Sequence, residues 1–333
     1  MLNQLSGEAM TLFAVDADGR MTGTLTDGDI RRGLLAGADI SSPVHEVMHR
    51  HFSALTGSDD IGMLRECRAR GLRLLPRLDA DGRVAQIVDT AVTRSLLPVD
   101  AILMAGGKGE RLRPLTLTRP KPLLEVGGKA IIDRNIDALA AVGIRRVRVT
   151  VNYLAEMLEE HFAAPRPDGV VVECVREPMA MGTIGSAALI EHQPGGTTLV
   201  MNSDLLTSVD FEQLYLTHRQ SGALITIAAI PYNVSVPYAI LETDGQQVTA
   251  LAEKPSYSFY ANAGIYLIDN SLLAALPADR RTDATDLIEQ VIAAGGKVTY
   301  SPINGLWIDI GSPTDFRHAC ELMEHSNSLH SSH

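Results

Sequence analysis

At 333 residues with 45% apolar side chains, the chain is long enough for two domains that each bury a core. The 29 basic and 40 acidic residues leave a net charge of −11, which argues against a nucleic-acid surface, because that would need a basic stripe. Three scattered cysteines (Cys67, Cys174, Cys320) without a Cys-x-x-Cys pair fit a reducing, cytoplasmic setting. The first residues lack the pattern of a signal peptide, and no apolar run is long enough to span a bilayer.

Residues 1–97 read as two versions of one unit. Leu12 to Leu25 predicts strand, Asp-x-Asp-Gly hairpin and strand, and Leu74 to Val88 repeats that pattern. The pentapeptide Asp16-Ala-Asp-Gly-Arg20 recurs as Asp79-Ala-Asp-Gly-Arg83, 63 positions on, a period that predicts a tandem domain and not a solenoid. Helical patterns follow the first hairpin (Gly28 to Leu35) and precede the second (Asp59 to Arg70). The arrangement resembles a cystathionine-β-synthase-type (CBS) pair, a regulatory or assembly module. The match rests on Thr26-Asp-Gly-Asp29, the Thr-x-x-Asp pattern that in that family holds an adenosyl ribose. The resemblance implies Thr26 and Asp29 as contacts for an adenosine nucleotide. The second copy departs from the pattern: Gln86 stands where Gly is expected, and Asp89-Thr-Ala-Val92 lacks the closing Asp. One competent site is therefore expected, and a purely structural dimerisation module is the alternative.

Leu97-Pro98 predicts the junction, with a second domain over 98–324. The stretch Asp100 to Pro122 opens it and carries the most information. An apolar strand (Ala101 to Ala105) runs into Gly106, Gly107 and Gly109, with Lys108, Arg111, Arg113 and Lys121 close by. Glycines let backbone N–H groups approach a ligand closely, and such a nest beside fixed cations suits a polyphosphate. A Walker A loop is excluded because Glu110 follows Gly109, and a dinucleotide fingerprint because its third glycine would fall at Leu112.

Strand and helix patterns then alternate: Val147–Asn152, Leu154–Phe162, Val170–Cys174, Gly185–His192, Leu199–Asn202, Phe211–Gln220, Leu224–Ile230 and Gly264–Ile268. That alternation predicts an α/β domain with a largely parallel sheet and ligands at the carboxyl ends of its strands. Asp204 ends one apolar run and Asp309 another, and two carboxylates beside a phosphate loop suit Mg²⁺, which takes few protein ligands and completes its shell with substrate oxygens.

Residues 100–317 resemble the nucleotidyltransferases that make nucleoside-diphosphate sugars. The resemblance lies in Leu103-Met-Ala-Gly-Gly-Lys-Gly-Glu-Arg111, Pro120-Lys121-Pro, Met181-Gly-Thr-Ile-Gly185, Asn202-Ser-Asp204, Glu253-Lys254-Pro, Asn262-Ala-Gly264 and Trp307-Ile-Asp309. It implies a Rossmann-like fold and transfer of a nucleoside monophosphate from an NTP, with GTP favoured, to a sugar-1-phosphate in surface-glycan or nonulosonic-acid synthesis. Catalytic roles fall to Arg111, Lys121 and Asp204, and Mg²⁺ to Asp204 and Asp309. Leu103, Ala105, Gly106, Gly107, Gly109, Gly182 and Thr183 are assigned to the nucleotide. Asn152, Tyr153, Glu253, Lys254, Asn262 and Gly264 are assigned to the sugar phosphate. A weakly catalytic nucleotide sensor, or a transferase preferring UTP, dTTP or CTP, are the alternatives. Homo-oligomers are expected, with neither a nucleic-acid nor a membrane partner, and residues 325–333 are expected to be a disordered tail.

Overall fold

A computed structural model describes residues 11–57, 60–91 and 95–330, with side chains up to 324. The chain divides into two units, Met1–Pro98 with Ala141–Gly143, and Val99–Ala140 with Ile144–His333.

In the first unit β1 (Thr11–Val15) pairs with β2 (Met21–Thr26), and β3 (Leu74–Leu78) with β4 (Val84–Asp89), both antiparallel. The two repeated turns are built alike. Asp16 Oδ1 accepts from the N–H groups of Asp18 and Arg20 at 3.0 and 2.9 Å, and Asp79 Oδ1 accepts from those of Asp81 and Arg83 at 3.0 and 2.9 Å. Gly19 and Gly82 take φ of 79° and 80°, which L side chains resist. The Met21 N–H donates to the Gly82 carbonyl at 3.0 Å and joins one hairpin to the other.

Helix α1 (Asp27–Leu35) begins in a capping box. Thr26 Oγ1 donates to Asp29 Oδ2 at 2.6 Å, the Thr26 N–H reaches the same oxygen at 2.8 Å, and Arg32 pairs with Asp29 Oδ1 at 2.6 Å. Both residues expected at an adenosyl site thus cap this helix, and both Asp29 oxygens are engaged within the chain. A short helix, α2 (Val44–Val47), follows. Helix α3 (Ile61–Ala69) buries Leu64 and Cys67 against Leu55, Leu75 and Val88.

The second unit is a seven-stranded sheet with helices around it. Its strands are β5 (Asp100–Met104), β8 (Arg146–Val151), β9 (Val171–Arg176), β10 (Thr197–Asn202), β12 (Ile225–Ser235), β15 (Ser256–Asp269) and β16 (Val298–Pro302). Between β5 and β8 lie the short pair β6 (Glu125–Val126) and β7 (Lys129–Ala130), while β11 (Leu205–Thr207) follows β10. The order is β16-β12-β15-β10-β5-β8-β9, parallel throughout except where β15 pairs antiparallel with β10 and β12. Ala101, Ile102 and Leu103 are buried, as a central parallel strand covered on both faces requires. The domain is the expected α/β type with a mostly parallel sheet.

The helices are α4 (Ile131–Ala141), α5 (Ala155–His161), α6 (Phe211–Ser221), α7 (Asn270–Ala274), α8 (Ala284–Ala293) and α9 (Pro313–His330). Residues 325–330 continue α9 where a disordered tail was expected, because backbone hydrogen bonding carries on past 324; residues 331–333 lie outside the described residues. The helix expected over 185–192 is a single 3₁₀ segment, Gly185–Leu189. The Thr282 carbonyl accepts from both Ile184 and Gly185 N–H at 3.2 and 3.1 Å, which draws the start of this segment toward residue 282 and away from helical bonding.

Strands β12 and β15 run on past the sheet as a two-stranded ribbon. Tyr232 pairs across it with Phe259 and Val234 with Tyr257, all four exposed. The hairpin of β13 (Ile240–Asp244) and β14 (Gln247–Ala252) joins them. Strand β17 (Trp307–Asp309) pairs antiparallel with β11. No helix among the described residues is long and apolar enough to cross a membrane.

Candidate active site

A cavity of about 680 Å³ opens at the carboxyl ends of β5, β8, β9 and β10, where helix-covered parallel sheets gather ligands. The loop after β5 forms one wall. Gly109 takes φ of +60°, and a Cβ there would meet Thr116 Cγ2 at 2.9 Å and Lys121 Cβ at 3.3 Å, so only glycine lets this turn lie against the two. The N–H groups of Gly107, Lys108 and Gly109 donate to nothing among the described residues. Three free amides beside Lys108 and Arg111 make an anion nest. Tyr153 Oη donates to the Thr116 carbonyl at 3.0 Å and braces the same loop.

Lys121 stands on a 3₁₀ turn (Lys121–Leu123) and is 9% exposed. Its Nζ pairs closely with Asp204 Oδ2 and lies 3.4 Å from Asp309 Oδ1. Asp204 is brought there by the turn between β10 and β11, and Asp309 by β17, whose Asp309 stands across from Leu205. Burial holds the Asp204 carboxyl above the usual carboxylate range, the Lys121 ammonium works against that rise, and Asp309 adds to it. Asp204 Oδ1 is buried and accepts from no group among the described residues. An orphaned carboxylate oxygen next to a second carboxylate fits a hard divalent cation. No cluster of three or more candidate ligands occurs among the described residues, so any such ion would need oxygens from its substrate.

The far wall is formed by Glu177, at the end of β9, and by Met181 to Thr183 with Arg281 and Asp283. Gly182 takes φ of +82°, and a Cβ there would stand 2.8 Å from Asp283 Oδ1. The Thr183 N–H donates to Asp283 Oδ1 at 2.9 Å, and its Oγ1 accepts from the Ala284 N–H at 2.8 Å, fastening this wall to the start of α8. Glu177 Oε2 accepts from the Met181 N–H at 3.3 Å and from Asn152 Nδ2 at 3.4 Å, and burial pushes its carboxyl above the ordinary range.

The structure gathers Ala105, Gly106, Gly107, Gly109, Arg111, Lys121, Asn152, Gly182, Thr183, Asp204 and Asp309 around this one cavity. The other expected residues lie elsewhere. Leu103 is wholly buried in the core of β5. The Tyr153 hydroxyl is spent on the loop. Gly264 is buried and packs behind Asn202, where a Cβ would collide with the Asn202 amide, and Asn262 Oδ1 accepts from the Gly264 N–H at 2.9 Å. Glu253 and Lys254 sit exposed between β14 and β15, because the ribbon carries them out into solvent; Lys254 has φ of +43°. Ser203, between Asn202 and Asp204, is buried and donates its hydroxyl to the Met104 carbonyl at 2.7 Å.

Glu177, Arg281 and Asp283 line the cavity without having been singled out in the sequence. Glu177 had little signal: it directly follows β9, whose Glu173 and Arg176 break the kind of apolar run that precedes Asn152 and Asp204. Arg281 and Asp283 had none, since they come from a turn a hundred residues further along the chain.

Comparison with known proteins bears on the same region. A family model described as nucleotidyl transferase matches residues 100–326. The chain is 33% identical over 224 residues to the mannose-1-phosphate guanylyltransferase catalytic subunit beta of Danio rerio, covering 65% of this chain and 62% of that protein. To the mannose-1-phosphate guanylyltransferase of Mycobacterium tuberculosis it is 30% identical over 224 residues, with 66% and 62% covered. It thus spans about three fifths of the length of these relatives. Among solved structures, HddC from Yersinia pseudotuberculosis superposes with a TM-score of 0.52 at 23% identity, covering 67% of this chain and 98% of that one. The same protein complexed with GMP-PN gives 0.52 at 22% identity, with 67% and 98% covered, a likeness of fold.

Proposed function

The chain belongs to the nucleotidyl transferase family, and from that premise we propose that it transfers GMP from GTP to a sugar-1-phosphate, releasing pyrophosphate and forming a nucleoside-diphosphate sugar. The observation that carries this reading is Lys121 seated between Asp204 and Asp309, beside the free amides of Gly107 to Gly109. The guanylyltransferase names of the relatives support the choice of base.

In this reading the sugar-phosphate oxygen attacks the α-phosphorus in line and pyrophosphate departs. Such a transfer asks the protein for positioning and charge stabilisation with little covalent chemistry. The amides of Gly107 and Gly109 cradle the triphosphate, Arg111 steadies the departing pyrophosphate, and Lys121 neutralises the α-phosphate. Asp204 and Asp309 would hold Mg²⁺, which supplies positive charge to the phosphate oxygens when bound. Glu253 and Lys254 do not line the cavity, so the proposed reaction is carried by the phosphate end of the site.

We also read the first unit as a CBS-type regulatory or assembly module, supported by its two matched Asp-x-Asp-Gly turns. An adenosine nucleotide is its proposed ligand, and pairing of chains through this or the catalytic unit its proposed consequence. The site in the second unit is tested by mixing the protein with each of four NTPs, Mg²⁺ and a panel of sugar-1-phosphates and measuring pyrophosphate. Release with GTP and one sugar phosphate is expected; no release with any pair would end the transferase reading. A rise in unfolding temperature with AMP or ATP, in the absence of sugar phosphate, tests the module.

A further inference from the structure

Building on the transferase reading, we propose that Gly311 is a positioning residue: the space left by its missing side chain seats the Arg111 guanidinium and keeps it aimed at the terminal phosphates. Both residues line the cavity. A Cβ on Gly311 would stand 3.0 Å from Arg111 Nη2 and 3.4 Å from both Cζ and Nη1, and these are the nearest atoms it would meet. Gly311 takes no left-handed φ, so the space, and not backbone strain, accounts for the glycine. Arg111 is exposed and makes no hydrogen bond or ion pair among the described residues; its neighbour Glu110 lies 3.5 Å from Arg113 instead. Contact with Gly311 is what confines this otherwise unpaired cation.

The two backbones are brought side by side by their buried neighbours. Leu112, next to Arg111, is 1% exposed and Ile310, next to Gly311, is 0% exposed, and both belong to one core cluster with Leu124, Val126 and Ile131. The Ile310 N–H donates to the Asp204 carbonyl at 3.2 Å, and the Gly311 N–H to the Asp309 carbonyl at 2.7 Å. The stretch Asp309–Gly311 thus supplies a carboxylate beside Lys121, a core side chain and the surface on which Arg111 rests. A long side chain loses rotamer freedom when it clamps an anion, and one already confined loses less. A methyl at position 311 meets the far end of a flexible side chain, so the fold survives while the guanidinium yields by a few tenths of an ångström. Groups that act on a ligand must be held within about 0.5 Å of their productive placement, so a shift of that size is felt.

Inorganic pyrophosphate is the probe, because it presents the two phosphates that Arg111 is placed to meet and carries no nucleoside. In calorimetric titrations of the full chain with Mg²⁺, Arg111→Ala is expected to weaken pyrophosphate binding about tenfold or more, the loss of a charge-assisted contact. Gly311→Ala should weaken it about threefold, since misplacement costs about a hundredfold per ångström. Gly311→Val, whose branches cover more of the seat, should approach the loss seen in Arg111→Ala. With Ala already at position 111, Gly311→Ala should cost nothing further, whereas a merely structural role would cost the same in either background. GMP, which lacks the two outer phosphates, should bind every variant alike, and thermal unfolding reports whether each one folds. If Gly311→Val does not fold, Gly311→Ala and its double variant decide the matter. Unchanged pyrophosphate affinity in both Gly311 variants, a loss that persists without Arg111, or an equal loss of GMP would overturn the proposal. So would failure of the unaltered chain to take up pyrophosphate. The transferase reading fails separately, by absence of pyrophosphate release with every substrate pair.

Discussion

Lys121 sits where two carboxylates would otherwise face each other, and its ammonium offsets their repulsion in the free protein. Lys121→Ala removes that offset as well as the charge proposed to meet the α-phosphate. Turnover in the pyrophosphate assay is expected to fall well over tenfold, each tenfold corresponding to about 1.4 kcal/mol of barrier. The same variant should gain more in unfolding temperature from added Mg²⁺ than the unaltered chain, because its two acids no longer share a resident cation. An equal gain in both proteins would separate Lys121 from the metal pair. Glu177 carries a different signature. Burial raises its carboxyl above the ordinary 4.5, so the folded chain holds that proton more tightly than the unfolded chain. Its ionisation therefore costs nothing below that range and subtracts stability as pH rises through it. Compared by thermal unfolding, Glu177→Gln should show an advantage that is absent at the acid end, widens upward from about pH 4.5 and then levels off.

Among the elements, the loop after β5 is the most tightly specified. Gly109→Ala must force φ of +60° on an L residue and press a methyl against Thr116 and Lys121. The left-handed backbone alone costs about 1–2 kcal/mol. Loss of activity with retained cooperative unfolding is the expected pair of results, and full activity would show that the loop tolerates a Cβ. This loop, and the carboxylates at strand ends, could be read from sequence because an apolar run that stops at Gly, Asn or Asp marks where a buried parallel strand meets solvent. Asp204 and Asn152 were found that way; Glu177 was not, because the strand before it carries Glu173 and Arg176. The repeated turns of the first unit were equally plain, since the same five residues make the same hydrogen bonds twice. The positions of Glu253 and Lys254 were not legible: motif order says nothing of how far a ribbon stands off the sheet. Tyr153 and Thr26 illustrate another limit, because a hydroxyl that could greet a ligand can as well be spent on a neighbouring backbone group, and spacing does not tell which.

At the scale of the whole molecule, the two units differ in what holds them. The first relies on small hairpins and a core of a few side chains around Leu55 and Leu64, the second on a seven-stranded sheet with extensive buried apolar surface. Strand β15 is shared between the exposed ribbon and the centre of that sheet, and it pairs on both sides. A protease that cuts the β13–β14 turn at Gly245 would thus leave two polypeptides held together by the pairing of β15 with β10 and β12, of β16 with β12 and of β17 with β11. Denaturing electrophoresis should then resolve two bands from material that still elutes in its original position on gel filtration. The clipped species would wear a scar and keep its shape.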